Sequence, residues 1–74
     1  MRQQLQEAED AIARAIELSP GRLDYRLRFA DVSILRGRLD DARRVLSELA
    51  AVTTDRTVAE RAELRLTALK RQRQ

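Results

Sequence analysis

The stretches LQEAEDAIARAIELSP (residues 5–20) and LDDARRVLSELAAVTT (residues 39–54) decide the fold, because they place apolar side chains at matching positions. A shift of 34 residues superposes the two stretches and keeps apolar character at seven pairs of positions. The pairs are Leu5–Leu39, Ala8–Ala42, Ala11–Val45, Ile12–Leu46, Ala15–Leu49, Ile16–Ala50 and Leu18–Val52. Unrelated amphipathic helices share a period but have no reason to share one offset, so the match indicates a repeated helical unit.

Apolar residues at spacings of three and four predict four amphipathic helices and no strand. The apolar face of the first helix carries Leu5, Ala8, Ile12, Ala15 and Leu18. That of the second carries Leu23, Leu27, Ala30, Ile34 and Leu35, and that of the fourth carries Val58, Ala62, Leu66 and Leu69. The connections are short, so neighbouring helices should pack antiparallel.

Turn and cap residues set the expected limits of the helices. Ser19-Pro20-Gly21 ends the first helix because Pro cannot continue it, and Gly37 ends the second in a left-handed conformation. Asp40 is the expected N-cap of the third helix. Thr57-Val58-Ala59-Glu60 fits a capping box for the fourth helix, which should fray from Lys70 onward. We expect one domain over residues 1–74, with a first helix at 2–19, a helical pair at 22–52 and a terminal helix at 56–72.

Composition argues against catalysis and against metal or cofactor binding. The 74 residues include no Cys and no His, which removes disulfides, the commonest metal ligand and the commonest general base. The carboxylates alternate with Arg along polar helix faces, where i,i+4 charge pairs such as Asp10–Arg14 and Asp24–Arg28 account for them. We therefore expect no catalytic, cofactor-binding or metal-binding residue, and a protein that is not an enzyme.

Charge and hydropathy do not identify the cellular compartment. The net charge is +3, and Lys70 is the only lysine, a bias towards Arg that a GC-rich bacterial genome would explain as easily as a function would. No apolar run approaches the roughly 20 residues of a membrane span. The N-terminal residues have no apolar region typical of a signal peptide. The sequence leaves the compartment open, with the cytoplasm or, for a piece of an envelope protein, the periplasm as settings.

At this point the sequence resembles the tetratricopeptide repeat family, which has a 34-residue period and repeats built from two antiparallel helices, A and B. Ala8, Ile12, Ala15 and Pro20 match a helix B and its closing Pro. Phe29 and Ala30 match the large and small pair of helix A, Gly37 and Leu39 match the turn, and Ala42 and Leu46 match the next helix B. The resemblance implies an all-α, antiparallel helix-turn-helix solenoid fragment in the order B, A, B and a terminal helix.

Several positions depart from the family pattern. Arg26 and Ser33 stand where aromatic residues are usual, Leu49 replaces a small residue, and Thr54 replaces Pro. Beyond Asp55 the 34-residue register would place Glu63 at a large apolar position. The fourth helix is therefore either a capping helix or a helix A shifted by a residue or more.

The resemblance also implies a function, since helix A residues line the concave, partner-binding surface of these arrays. The residues expected there are Asp24, Leu27, Arg28, Asp31, Ile34 and Leu35, with Arg61 and Arg65 from the fourth helix. Arg28 is the candidate clamp for a carboxylate, because its planar guanidinium binds one through two hydrogen bonds. The expected activity is that of a scaffold or adaptor within a larger complex, with an acidic peptide or a C-terminal carboxylate as partner.

Two alternatives remain open. The RNA-binding pentatricopeptide repeats share the two-helix plan, and the tail Lys70-Arg71-Gln72-Arg73 suits phosphate contacts. Twelve scattered acids and few aromatic residues argue against nucleic acid. The other alternative is an oligomerisation module, a homodimer that covers Leu5, Ile12 and Ile16 of the first helix.

Overall fold

The computed structural model describes residues 2–72, which form four helices and no strand. The helices are α1 (Arg2–Leu18), α2 (Leu23–Leu35), α3 (Leu39–Val52) and α4 (Arg56–Gln72). The predicted fold class, an all-α arrangement of about four helices, is confirmed. Arg73 of the basic tail and Gln74 lie outside the described residues. Lys70 and Arg71 belong to the last turn of α4.

Each of the first two turns closes through backbone hydrogen bonds that suit its sequence. In the α1–α2 turn, the Ser19 amide donates to the Ala15 carbonyl at 2.9 Å and the Arg22 amide donates to the Ser19 carbonyl at 3.0 Å. In the α2–α3 turn, Gly37 has a φ of 80°, the left-handed region that glycine adopts without steric cost. The Arg38 amide then reaches back to the Ser33 carbonyl at 2.8 Å, which completes a Schellman motif.

The caps of α3 and α4 differ from the sequence prediction. The N-cap of α3 is Arg38, without a side-chain hydrogen bond, and Asp40 lies inside the first turn, where it pairs with Arg43. The side chain of Asp55 caps α4, because its Oδ1 accepts hydrogen bonds from the Thr57 amide at 3.0 Å and the Val58 amide at 3.3 Å. The capping-box prediction for Thr57 is therefore wrong by two residues.

The helices pack in two layers. In one layer α2 lies beside α4, and in the other are α1 and α3, whose backbones make no close contact within residues 2–72. Helix α3 packs against both α2 and α4, whereas α1 packs against α2 alone. The buried core is made of Leu27, Ala30, Ala42, Leu46, Leu49, Ala62 and Leu69. Ala30, Ala42 and Ala62 have no exposed surface, so small side chains let the helices approach closely.

Helix α1 is the least buried of the four. None of its described apolar residues belongs to the buried core, and Ala8, Ile12 and Ala15 are half-buried. Leu18, predicted on the apolar face, is 78% exposed at the last position of α1. The single packing partner of α1 explains why its side chains keep part of their exposure.

Helix α4 occupies the place of a second helix A, beside α2. The predicted apolar face is confirmed: Ala62 and Leu69 are buried, and Val58 and Leu66 pack against the core. Three core positions of α2 recur 35 residues later in α4, as Leu23–Val58, Leu27–Ala62 and Ile34–Leu69. The shift of one residue beyond the 34-residue period leaves Glu63 exposed on the opposite face.

Candidate functional site

A bidentate ion pair bridges the two helices of the α2–α4 layer. Arg65 Nε donates to Asp31 Oδ1 at 2.6 Å, and Arg65 Nη2 donates to Asp31 Oδ2 at 3.0 Å. The hydrogen bonds to Asp31 raise the pKa of the Arg65 guanidinium above its usual value, although partial burial acts in the opposite direction. The two parallel hydrogen bonds fix the plane of the guanidinium group. The pair therefore restrains α4 against α2 in addition to its electrostatic attraction.

Residues on both helices share the surface around this pair. Asp24, Arg28, Asp31 and Leu35 follow one another at spacings of four, three and four, so they form one stripe of α2. Arg61 and Arg65 form the adjoining stripe of α4, and Arg65 Nη1 also donates to the Arg61 carbonyl at 3.0 Å. We call the surface made of these six residues the α2–α4 face.

Charge is distributed unevenly along the α2–α4 face. Helices α2 and α4 run in the same direction, since both are antiparallel to α3. Arg28 and Arg61 therefore both lie about one turn before the Asp31–Arg65 pair, and both are exposed. Neither makes an ion pair with another described residue. This part of the face thus presents two exposed cations, with the Asp24 carboxylate one turn before Arg28 on α2.

The other residues predicted to contact a partner are placed differently. Leu27 is 4% exposed and lies in the core, so the prediction that it contacts a partner is wrong. Ile34 is half-buried against the same core, whereas Leu35 is 69% exposed one turn beyond Asp31. Asp24 pairs with Arg22 at 3.2 Å rather than with Arg28 as predicted. Its pKa is lowered chiefly by the hydrogen bond from Arg22, with a smaller electrostatic contribution from Arg28.

Sequence reasoning missed a second charged cluster, which connects the two layers. Glu9 of α1 is only 8% exposed, although it falls among charged residues in the sequence. Its carboxylate accepts a hydrogen bond from Arg36 Nη1 at 2.6 Å and one from Ser33 Oγ at 3.5 Å, and Arg38 Nη1 lies 3.7 Å away. Ser33 stands where the family pattern has an aromatic residue, and the smaller side chain leaves room for the carboxylate. The serine at this position was the only feature of the sequence that could have indicated a buried Glu9.

Residues 2–72 contain neither a metal-binding cluster nor a membrane-spanning helix. No group of three or more acidic side chains within residues 2–72 could hold a metal ion. No helix among the described residues has the length and apolar character needed to cross a bilayer. The α2–α4 face presents guanidinium and carboxylate groups together with the exposed side chain of Leu35.

Comparison with known proteins agrees with this arrangement. A family model described as tetratricopeptide repeat matches residues 1–69, nearly the whole sequence. No curated protein matches, and no solved structure matches. The family match, the 34-residue offset and the two-layer packing all describe the same repeat. The chain therefore belongs to the tetratricopeptide repeat family, whose members generally mediate protein–protein interactions and are typically non-catalytic.

Proposed function

We propose that the chain is a protein-interaction scaffold that binds an acidic peptide segment on the α2–α4 face. The observation that carries the proposal is that two exposed guanidinium groups, Arg28 of α2 and Arg61 of α4, each lie about one turn before the Asp31–Arg65 pair. A guanidinium group binds a carboxylate through two parallel hydrogen bonds. Two of them on adjacent helices suit a C-terminal carboxylate or a pair of acidic side chains.

The Asp31–Arg65 pair sets the register of the bound segment. It lies between the two cations and the exposed Leu35, which sits about one turn, roughly 5 Å, beyond Asp31. A matching ligand therefore carries its acid about 10 Å from an apolar side chain, the combined length of about two turns. Asp31 also neutralises Arg65, so Arg65 orders α4 against α2 rather than contacting the ligand carboxylate directly.

The proposal is tested with a fluorescein-labelled acidic peptide that ends in Leu-Glu-Glu with a free carboxylate. Fluorescence anisotropy with the full chain should show saturable binding, and Arg28→Glu should weaken it about tenfold or more through lost attraction and added repulsion. Arg14→Glu is the matched control, since Arg14 is exposed on α1 in the other layer and the change in net charge is the same. Equal weakening by both variants, or no saturable binding, would remove the α2–α4 face from consideration.

A second variant tests the role of Asp31. Asp31→Asn leaves the side-chain volume nearly unchanged but frees the positive charge of Arg65. If the ion pair withholds Arg65 from the ligand, affinity for the acidic peptide should rise, and the rise should shrink with added salt because the contact is exposed to solvent. An unchanged affinity would mean that the peptide does not approach this part of the face.

A further inference from the structure

An apolar groove lies on the side of the molecule opposite the α2–α4 face. It exists because the backbones of α1 and α3 do not approach closely within residues 2–72, which leaves part of α2 uncovered between them. Arg26 and Phe29 of α2 form its floor, and Ala13 and Ile16 of α1 form one wall. The wall from α3 consists of Val45, Glu48, Leu49 and Val52. The groove has a volume of about 370 Å³ and is partly open to solvent.

The lining of the groove carries one charge of each sign. Arg26 stands where the family pattern has an aromatic residue, so this chain places a cation in a position that usually fills space. Glu48 lies across from it on α3, and it is exposed. Neither side chain forms an ion pair with another residue in the described part of the chain. Two unpaired opposite charges on one apolar groove form a self-complementary pattern.

Two exposed apolar side chains lie near the groove. Val52 is 75% exposed at the lip of the groove, in the last turn of α3. Leu18 is similarly exposed at the end of α1, and α1 and α3 run in the same direction, so both lie at the same end of the molecule. The surface therefore contains a cavity and, next to it, apolar projections of a size that fits such a cavity.

We propose that this groove is an interface between two copies of the chain, related by a twofold axis. A twofold interface requires that each surface be complementary to itself, so that residue i contacts residue j and j contacts i. Here Arg26 of each copy meets Glu48 of the other, and Val52 of each copy enters the groove of the other. The surface is separate from the α2–α4 face, so a dimer leaves both peptide-binding faces open.

The groove is short, so the area that two copies can bury in it is small. Its α3 wall runs from Val45 to Val52, about two turns or roughly 10 Å. An interface of this extent falls below the standard size of about 800 Å² per partner. The dimer should therefore be weak, with a dissociation constant in the micromolar range or above, and should form in a concentration-dependent way.

Sedimentation equilibrium of the full chain over a wide concentration range tests the proposal. The unaltered chain should pass from monomer to dimer, and Glu48→Arg should weaken dimerisation about tenfold, since two attractive contacts become repulsive in each dimer. The double variant Arg26→Glu with Glu48→Arg should restore dimerisation, because the exchanged charges again face their opposites. Circular dichroism melting of each variant verifies that the fold is retained.

A matched control separates this groove from other exposed apolar surface. Leu64 is 70% exposed on the outer face of α4, so Leu64→Asp should leave the dimer unchanged, whereas Val52→Asp should disrupt it. A chain that stays monomeric at millimolar concentration would overturn the proposal. Loss of association in Leu64→Asp but not in Val52→Asp would overturn it as well, since the contact would then lie on α4.

Discussion

Glu9 shows how one buried carboxylate can hold a helix whose apolar contacts are few. The side chains around it come from α2 and the turn after it, so its hydrogen bonds connect the two layers. A buried charge is costly unless it is paired and hydrogen-bonded, and Glu9 meets both conditions. Removing its charge would leave Arg36 largely buried and without a counter-ion.

Glu9→Gln should therefore lower the free energy of unfolding by about 1–3 kcal/mol, the usual cost of leaving a buried polar partner unsatisfied. Urea denaturation followed by circular dichroism measures the change. Glu7→Gln, the same substitution at an exposed position two residues earlier, should stay within about 0.5 kcal/mol of the unaltered chain. Equal effects of the two substitutions would show that the Glu9 cluster adds no stability.

The titration of the Asp24 carboxyl group reports on its contact with Arg22 at the start of α2. The Arg22 side chain donates two hydrogen bonds to Asp24 and lies over the Tyr25 ring, 4.9 Å from its centroid. The pKa of Asp24 is lowered in the folded chain, so its contribution to stability is present above the unfolded pKa. That contribution is lost as the pH falls through the folded value.

Carboxyl-carbon NMR should show Asp24 titrating below the ordinary aspartate value of about 3.9. Arg22→Ala should move the pKa of Asp24 upward, because its main hydrogen-bond donor is gone. Arg14→Ala removes an equal charge on α1 and should leave the titration of Asp24 in place. An Asp24 curve that does not respond to Arg22→Ala would contradict the assignment.

At the scale of elements, the helices were predictable because their signals are local. Pro20 and Gly37 stop α1 and α2 through backbone constraints that do not depend on neighbours. The residues that cap the helices were harder to predict. Asp40, Asp55 and Thr57 are all residue types that favour N-caps, and the sequence cannot tell which one has the extended backbone that the position needs.

The cap of α4 gives a prediction that separates the structure from the sequence pattern. Asp55→Ala should destabilise the fold by about 0.5–2 kcal/mol, since it removes the acceptor for two amides in the first turn of the helix. Thr57→Ala should change the free energy of unfolding by about 0.5 kcal/mol or less, because Thr57 is exposed and follows the cap. Thermal melting of the two variants decides between them. If Thr57→Ala lowered the free energy of unfolding more than Asp55→Ala, the capping box predicted from the sequence would be correct.

The candidate site was predictable only in part, because its contacts join helices that are far apart in sequence. The stripe of Arg28, Asp31 and Leu35 follows from helical periodicity. The pairing of Asp31 with Arg65 depends on how α4 is rotated against α2, which the 34-residue offset does not determine. The burial of Leu27 depends in the same way on the side of α2 that α3 and α4 cover. The burial of Glu9 was not predicted, because helical periodicity assigns this residue to the polar face of α1.

At the scale of the whole molecule, stability should be graded across the helices. Repeat arrays are stabilised by contacts between neighbours, so an element with more neighbours opens at a higher free-energy cost. Helix α3 lies between α2 and α4 and contributes Ala42, Leu46 and Leu49 to the core. Helix α1 has one neighbour and contributes no apolar residue to the buried core.

Native-state hydrogen exchange should therefore show backbone amides in α1 exchanging faster than those in the middle of α3. Glu9→Gln should speed exchange in α1 more than in α4, because it weakens the charged contact that holds α1 to α2 without touching the α3–α4 packing. Glu7→Gln should leave both helices unchanged. A common opening free energy for all four helices would contradict this view, since the chain would then unfold as one cooperative unit in which the Glu9 cluster stabilises every helix equally.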